Sequence, residues 1–257
     1  MTAETLLRLA LVPAAVWLAS VAARRWGHAA SGYLGGLPMI GGPITLFLAI
    51  DLGAEFAARS ALFTLAAISA QAAHLLTFAH VGRRGSWWLA LVSGWSAFAV
   101  TSLAVTLLPL NPPIALALAV GGLMAAWRWL PRPDAESSSP RIPPIELRLR
   151  LVAAFVLAAA IVWSAPIFGP VVSGLLLSVP VTGSIIPPFT LALYGPQALI
   201  RLLRGFIVGL SGFTAFFATL AFALPAWTIP AAFAAAVAVA LAAVFAVDRI
   251  ARPRSGS

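Results

Sequence analysis

Two stretches of this 257-residue chain carry backbone chemistry that an uninterrupted helix would not need. The first reads Ser31-Gly32-Tyr33-Leu34-Gly35-Gly36-Leu37-Pro38-Met39-Ile40-Gly41-Gly42-Pro43. The second holds Ser173-Gly174, Ser178, Pro180, Thr182-Gly183-Ser184 and Pro187-Pro188. Proline removes an amide donor and clashes with the preceding turn, and glycine lets the backbone bend or lie exposed. In lipid, backbone groups freed in this way need protein or a solvated cavity beside them. They can therefore grip a small solute. Gly35, Gly36, Pro38, Gly41, Gly42, Pro43, Pro180, Thr182, Gly183, Ser184 and Pro187 are the candidate solute-binding positions. The plain alternative is a pair of kinked packing helices, because Gly and Pro are frequent in membrane helices.

A second set of residues could couple or gate. Arg59 and Arg201 stand at equivalent places in two similar segments, and guanidinium groups suit carboxylates and phosphates. Either could instead lay its stem on apolar surface and keep its head at the membrane interface. Asp51 and Glu55 stand near enough to neutralise Arg59. Gln71 and His74, three apart, share a helix face, and a histidine inside a membrane helix is a candidate proton relay. Phe216 takes the place of His74 in the second segment. No carboxylate is expected at mid-membrane, so carboxylate-driven proton antiport is not supported. Ser69-Ala73-Thr77 and Ser211-Ala215-Thr219 are small-residue stripes suited to close helix packing. No zinc-protease, phosphate-loop or nucleophile-elbow motif occurs, and there is no cysteine. The chain is accordingly not expected to be an enzyme, nor to hold a metal or cofactor.

Composition says what must position these residues. The chain is 61% hydrophobic and 9% charged, with mean hydropathy +1.01. A soluble domain carries about 25% charged residues. Residues 151–200 and 205–247 contain no charged side chain at all. A spanning helix needs roughly 20 apolar residues, and nine spans are expected, at about 5–23, 29–50, 58–82, 86–108, 112–130, 148–166, 170–193, 197–224 and 228–248. The first reads as a retained span rather than a cleaved signal. All 16 basic residues are Arg, clustered between apolar runs. With the N-terminus outside, 14 of them fall on the cytoplasmic side and only Arg8 and Arg59 outside. That distribution is a topogenic signal and not a nucleic-acid footprint.

The chain also repeats itself. Gly27, Ser31, Gly32, Pro38, Gly41, Phe47, Gly53 and Arg59 recur 142 residues later as Gly169, Ser173, Gly174, Pro180, Gly183, Phe189, Gly195 and Arg201. An odd number of spans before the copy inverts it. The expected architecture is an all-α polytopic membrane protein in two inverted repeats, four spans plus one plus four, with spans 2 and 7 broken by Gly and Pro. The units are a first repeat at 1–111, a connecting span at 112–130, a cytoplasmic linker at 131–147, a second repeat at 148–250 and a tail at 251–257. Inverted repeats with paired broken helices are the usual build of secondary transporters. The expected function is alternating-access transport or export of an unidentified small solute, an anion being one option. A lipid flippase or channel, and a non-transporting assembly subunit, are the competing readings. Expected partners are membrane lipids and the solute, with a homodimer left open. The expected location is a bacterial inner membrane, with the C-terminus cytoplasmic.

Overall fold

A computed structural model of the chain describes residues 17, 33, 37–132 and 144–251. The first expected span (Trp17 apart), Gly35, Gly36 and most of the 131–147 linker lie outside these residues. Among the described residues every regular element is a helix and no strand forms. The helices are α1 (Gly41–Leu52), α2 (Ala54–Ala66), α3 (Ile68–Gly82), α4 (Trp87–Thr106), α5 (Pro112–Trp129), α6 (Pro144–Leu177), α7 (Val181–Ala223) and α8 (Ile229–Ala251). Four helical stretches are long and apolar enough to cross a membrane: Ala54–Gly82, Trp87–Thr106, Trp163–Ala223 and Ile229–Ala251. Their outward faces are hydrocarbon. Val100 is 70% exposed, Leu107 79%, Ile167 75% and Ile250 84%. Apolar exposure on this scale would be a liability in water, and it is compatible with an integral membrane protein.

Two long rods form the centre. The first is α2 and α3 run together over 29 residues, about 43 Å at the helical rise. The second is the part of α7 beyond its bend at Gly195. They run antiparallel. Ala54 and Ala58 share a cavity wall with Ala221 and Leu224, whereas at the far end Gly82 meets the Leu191 and Leu199 side chains. Each rod turns back into a hairpin partner, α3 into α4 and α7 into α8. Both partners use a narrow stripe at four-residue spacing: Ala90, Gly94, Phe98 and Ser102 on α4, and Ala232, Ala236 and Ala240 on α8. Residues so spaced lie on one helix face, and small ones allow close approach.

Helix α5 lies beside both rods and is fixed at each end. The Asn111 side chain accepts from the Ile114 amide at 2.9 Å, with Pro112 in the first turn where an amide is not needed. At the other end Arg204 of α7 donates to the Pro131 and Leu130 carbonyls at 3.0 and 3.2 Å. Its guanidinium stacks 4.7 Å above the Trp127 ring. This arginine closes the helix terminus and ties it to the second rod.

Candidate functional site

The chain leaves helical geometry at two equivalent points. The Met39 amide donates to the Leu37 carbonyl at 2.7 Å, and the Val181 amide to the Val179 carbonyl at 2.8 Å. Both are three-residue turns around a proline. Pro180 has φ −77° and ψ 61°, the geometry of an inverse γ-turn. A second pair of breaks follows. Gly53 has φ 93° and ψ 161°, and Gly195 has φ 78° and ψ −177°, in a region open essentially only to glycine. Positions 142 residues apart therefore share backbone conformation as well as residue type.

Within the two Gly/Pro segments the helix breaks at the prolines of the turns, while Gly169 interrupts α6 just before the second segment with φ 75° and ψ −175°. Gly41, Gly42 and Pro43 form the first turn of α1, where the amides have no intrahelical partner to lose. Thr182, Gly183, Ser184 and Pro187 lie inside α7, with the Ser184 hydroxyl donating to the Pro180 carbonyl at 2.7 Å. The two segments cross-pack. A Cβ on Gly41 would lie 3.1 Å from the Phe217 ring of the second rod. A Cβ on Gly183 would lie 3.7 Å from Leu75 and 3.8 Å from His74 of the first. Each half thus rests its broken segment on the other half's rod.

Gln71 and His74 serve this contact. The Gln71 amide donates to the Ser178 carbonyl at 2.6 Å. His74 Nε2 lies 3.4 Å from the Gly183 carbonyl. Pro187 has no amide, so the helix offers that carbonyl no donor from four residues on. The tautomer protonated on Nε2 supplies one. His74 is fully buried, edge-on to Trp95 at 6.3 Å between ring centroids and pressed against the Gly94 backbone. A dry ring committed to a carbonyl is positioned to hold the break closed. On the opposite rod, Phe213 and Phe216 occupy the equivalent positions and pack 4.6 and 5.2 Å from the Phe217 ring.

Arg59 and Arg201 differ in surroundings. Arg59 is exposed and lines a 540 Å³ cavity with Glu55, Ala58, Leu62, Pro112 and Leu224. Arg201 is half-buried at the other end of the bundle, where Gly82 is packed against Leu191 and Leu199. Two more cavities, of 410 and 600 Å³, open along α5, α7 and α8. None of these three is lined by the broken segments.

No protein-family model, curated protein or solved structure matches this chain.

Several residues at these contacts escape a motif search. Thr64 and Ser60 are buried, and the Thr64 hydroxyl reaches the Gly174 carbonyl at 3.0 Å. They continue the Gln71–His74 face down the first rod, and their spacing of four and seven is the available signal. Tyr33 donates to Asp248 at 2.7 Å, joining the first broken segment to α8. Asp248 is 8% exposed. It is the first charged residue after the uncharged run 205–247.

Proposed function

We propose that this chain is a small secondary transporter, built as two inverted four-span repeats about one connecting span and working by alternating access. The cavity at Arg59 is its vestibule for a small anionic or zwitterionic solute. One observation carries this reading: equivalent ends of the two rods differ, with a cavity at Arg59 and close helix packing near Arg201. The Arg59 end holds the 540 Å³ cavity. At the Arg201 end Gly82 packs on the Leu191 and Leu199 side chains. Two pseudo-equivalent halves in different states are what a transporter resting open to one side should present. Exchange of the two states would open the Arg201 end. Antiparallel rods, matched turns and reciprocal packing of the broken segments support the inverted arrangement.

The test uses the absence of cysteine. Ala58→Cys and Ile200→Cys occupy equivalent places at the two ends. In vesicles, a membrane-impermeant maleimide should label Ala58→Cys and spare Ile200→Cys. A solute found by thermal-shift screening of carboxylates, phosphates and amino acids should reverse the ratio, and Arg59→Gln should abolish that response. Labelling unchanged by any stabilising solute would defeat alternating access. A second reading, movement of a lipid instead of a soluble solute, is favoured by the lateral cavities along α5. It predicts that the response follows phospholipid headgroups alone.

A further inference from the structure

The 600 Å³ cavity between α5, α7 and α8 opens sideways, toward lipid, and is lined by Leu116, Met124, Ile207, Ala215, Val247 and Ile250 among others. Its floor includes Ser211 and Thr214, yet neither has a hydroxyl proton left to donate to a ligand. The Ser211 hydroxyl donates to the Val208 carbonyl at 2.6 Å, and the Thr214 hydroxyl to the Leu210 carbonyl at 2.8 Å. With these groups spent on their own helix, the floor accepts hydrocarbon. One end is different. Trp127 and Arg128 of α5 close it. Arg128 is exposed, and no described residue pairs with its guanidinium.

The dimensions match one leaflet. Leu116 and Arg128 are 12 residues apart on α5, about 18 Å of helix. Half the hydrocarbon core of a bilayer is about 15 Å. Tryptophan belongs at the headgroup level, and an arginine there attracts phosphate in bidentate geometry. A 410 Å³ cavity continues past Leu116 and Ala215 toward Trp227, but no charged residue lines it. Charge complementarity singles out the Arg128 half.

We propose that this groove seats one acyl chain of an anionic phospholipid, with its phosphate on Arg128. The small-residue stripe explains the groove's depth. Its counterpart on the first rod is covered, because a Cβ on Gly122 of α5 would lie 2.8 Å from Ser69 Cα. One connecting helix covers one stripe, and the lipid chain covers the other. This seat exists whether or not the bundle moves a solute.

The experiment is native mass spectrometry and thermal unfolding of the full-length, detergent-purified protein. The probes are dioleoyl phosphatidylglycerol, dioleoyl phosphatidylcholine and inorganic phosphate. One phosphatidylglycerol should stay bound per chain and be favoured about tenfold over phosphatidylcholine, because both offer Arg128 a phosphate but the choline ammonium of the second sets a like charge beside the guanidinium. Phosphate alone should not raise the melting temperature. Arg128→Gln, at an exposed site, should remove the headgroup preference. Met124→Trp, at a position 67% exposed, should fill the groove and weaken retention of both lipids without unfolding the chain. Equal retention of the two lipids by the unaltered protein would overturn the proposal. So would unchanged phosphatidylglycerol binding in Met124→Trp, or stabilisation by phosphate as strong as by lipid. A dimer that Met124→Trp dissociates without affecting lipid would give the groove to a helix of a second copy instead.

Discussion

Glycine decides how closely these helices meet, and the cost of a methyl group can be ranked from geometry. At Gly174 an added Cβ would collide with the Ser60 carbonyl and lie 2.7 Å from Phe63 Cβ. Backbone cannot swing away as a side chain can. Gly174→Ala should therefore lose at least 1–3 kcal/mol, the usual scale of overpacking. Gly121→Ala is the control, because nothing lies within 4 Å of its Cβ. Relief of glycine's helix penalty should make it neutral or stabilising by up to about 1 kcal/mol. Denaturant titration in mild detergent compares the two. Equal stability would mean that α2 and α6 do not touch at Gly174. Sequence alone put both glycines in apolar runs and could not separate them, since the difference lies in what packs opposite.

At the scale of elements, each break needs a donor for what proline removes. The Gly183 carbonyl is left by Pro187 and met by His74. His74→Leu should then cost about 1–3 kcal/mol for an orphaned buried acceptor. Pro187→Ala restores the amide, so the same His74→Leu change should cost clearly less in that background. A double-mutant cycle measures the difference, and a cost independent of residue 187 would separate His74 from the break. The glycine hinges make a second element-scale prediction. Gly53→Ala and Gly195→Ala force a side chain into glycine-only backbone and should each cost about 1–3 kcal/mol in thermal unfolding. Open space around both removes steric clash as a rival cause. Much of this was legible in the sequence, because Pro38, Pro180, Gly53 and Gly195 are irreplaceable at their angles or turn centres. The hairpin stripes were not. Ala90, Gly94 and Phe98 stand where Ala232, Ala236 and Ala240 stand 142 residues on, but small apolar residues exchange freely and only Ala90 is matched by an identical residue. Gly41 and Gly183 looked like breakers because residue type does not reveal whether a glycine lies before a helix or inside its first turns.

For the whole molecule, the decisive quantity is the side of the membrane on which each loop lies. The turn after the first rod carries Arg83 and Arg84, while the turn after the second, Leu224–Thr228, carries no charge and ends near Trp227. The antiparallel rods put these turns at opposite ends of the bundle, and the arginine difference between them predicts opposite sides of the membrane. The two turns follow equivalent rods, so opposite placement is what separates an inverted duplication from a tandem one. Gly85→Cys and Ala226→Cys are exposed in these turns and keep every arginine. In right-side-out vesicles an impermeant maleimide should label Ala226→Cys at once and Gly85→Cys only after permeabilisation. Labelling of both from one side would make the repeats parallel and remove the basis for alternating access about Arg59. The opposite pattern to that predicted, with Gly85→Cys outside, would keep the inversion but turn the molecule over, so that the Arg59 cavity faces the cytoplasm and the proposed vestibule collects solute for export.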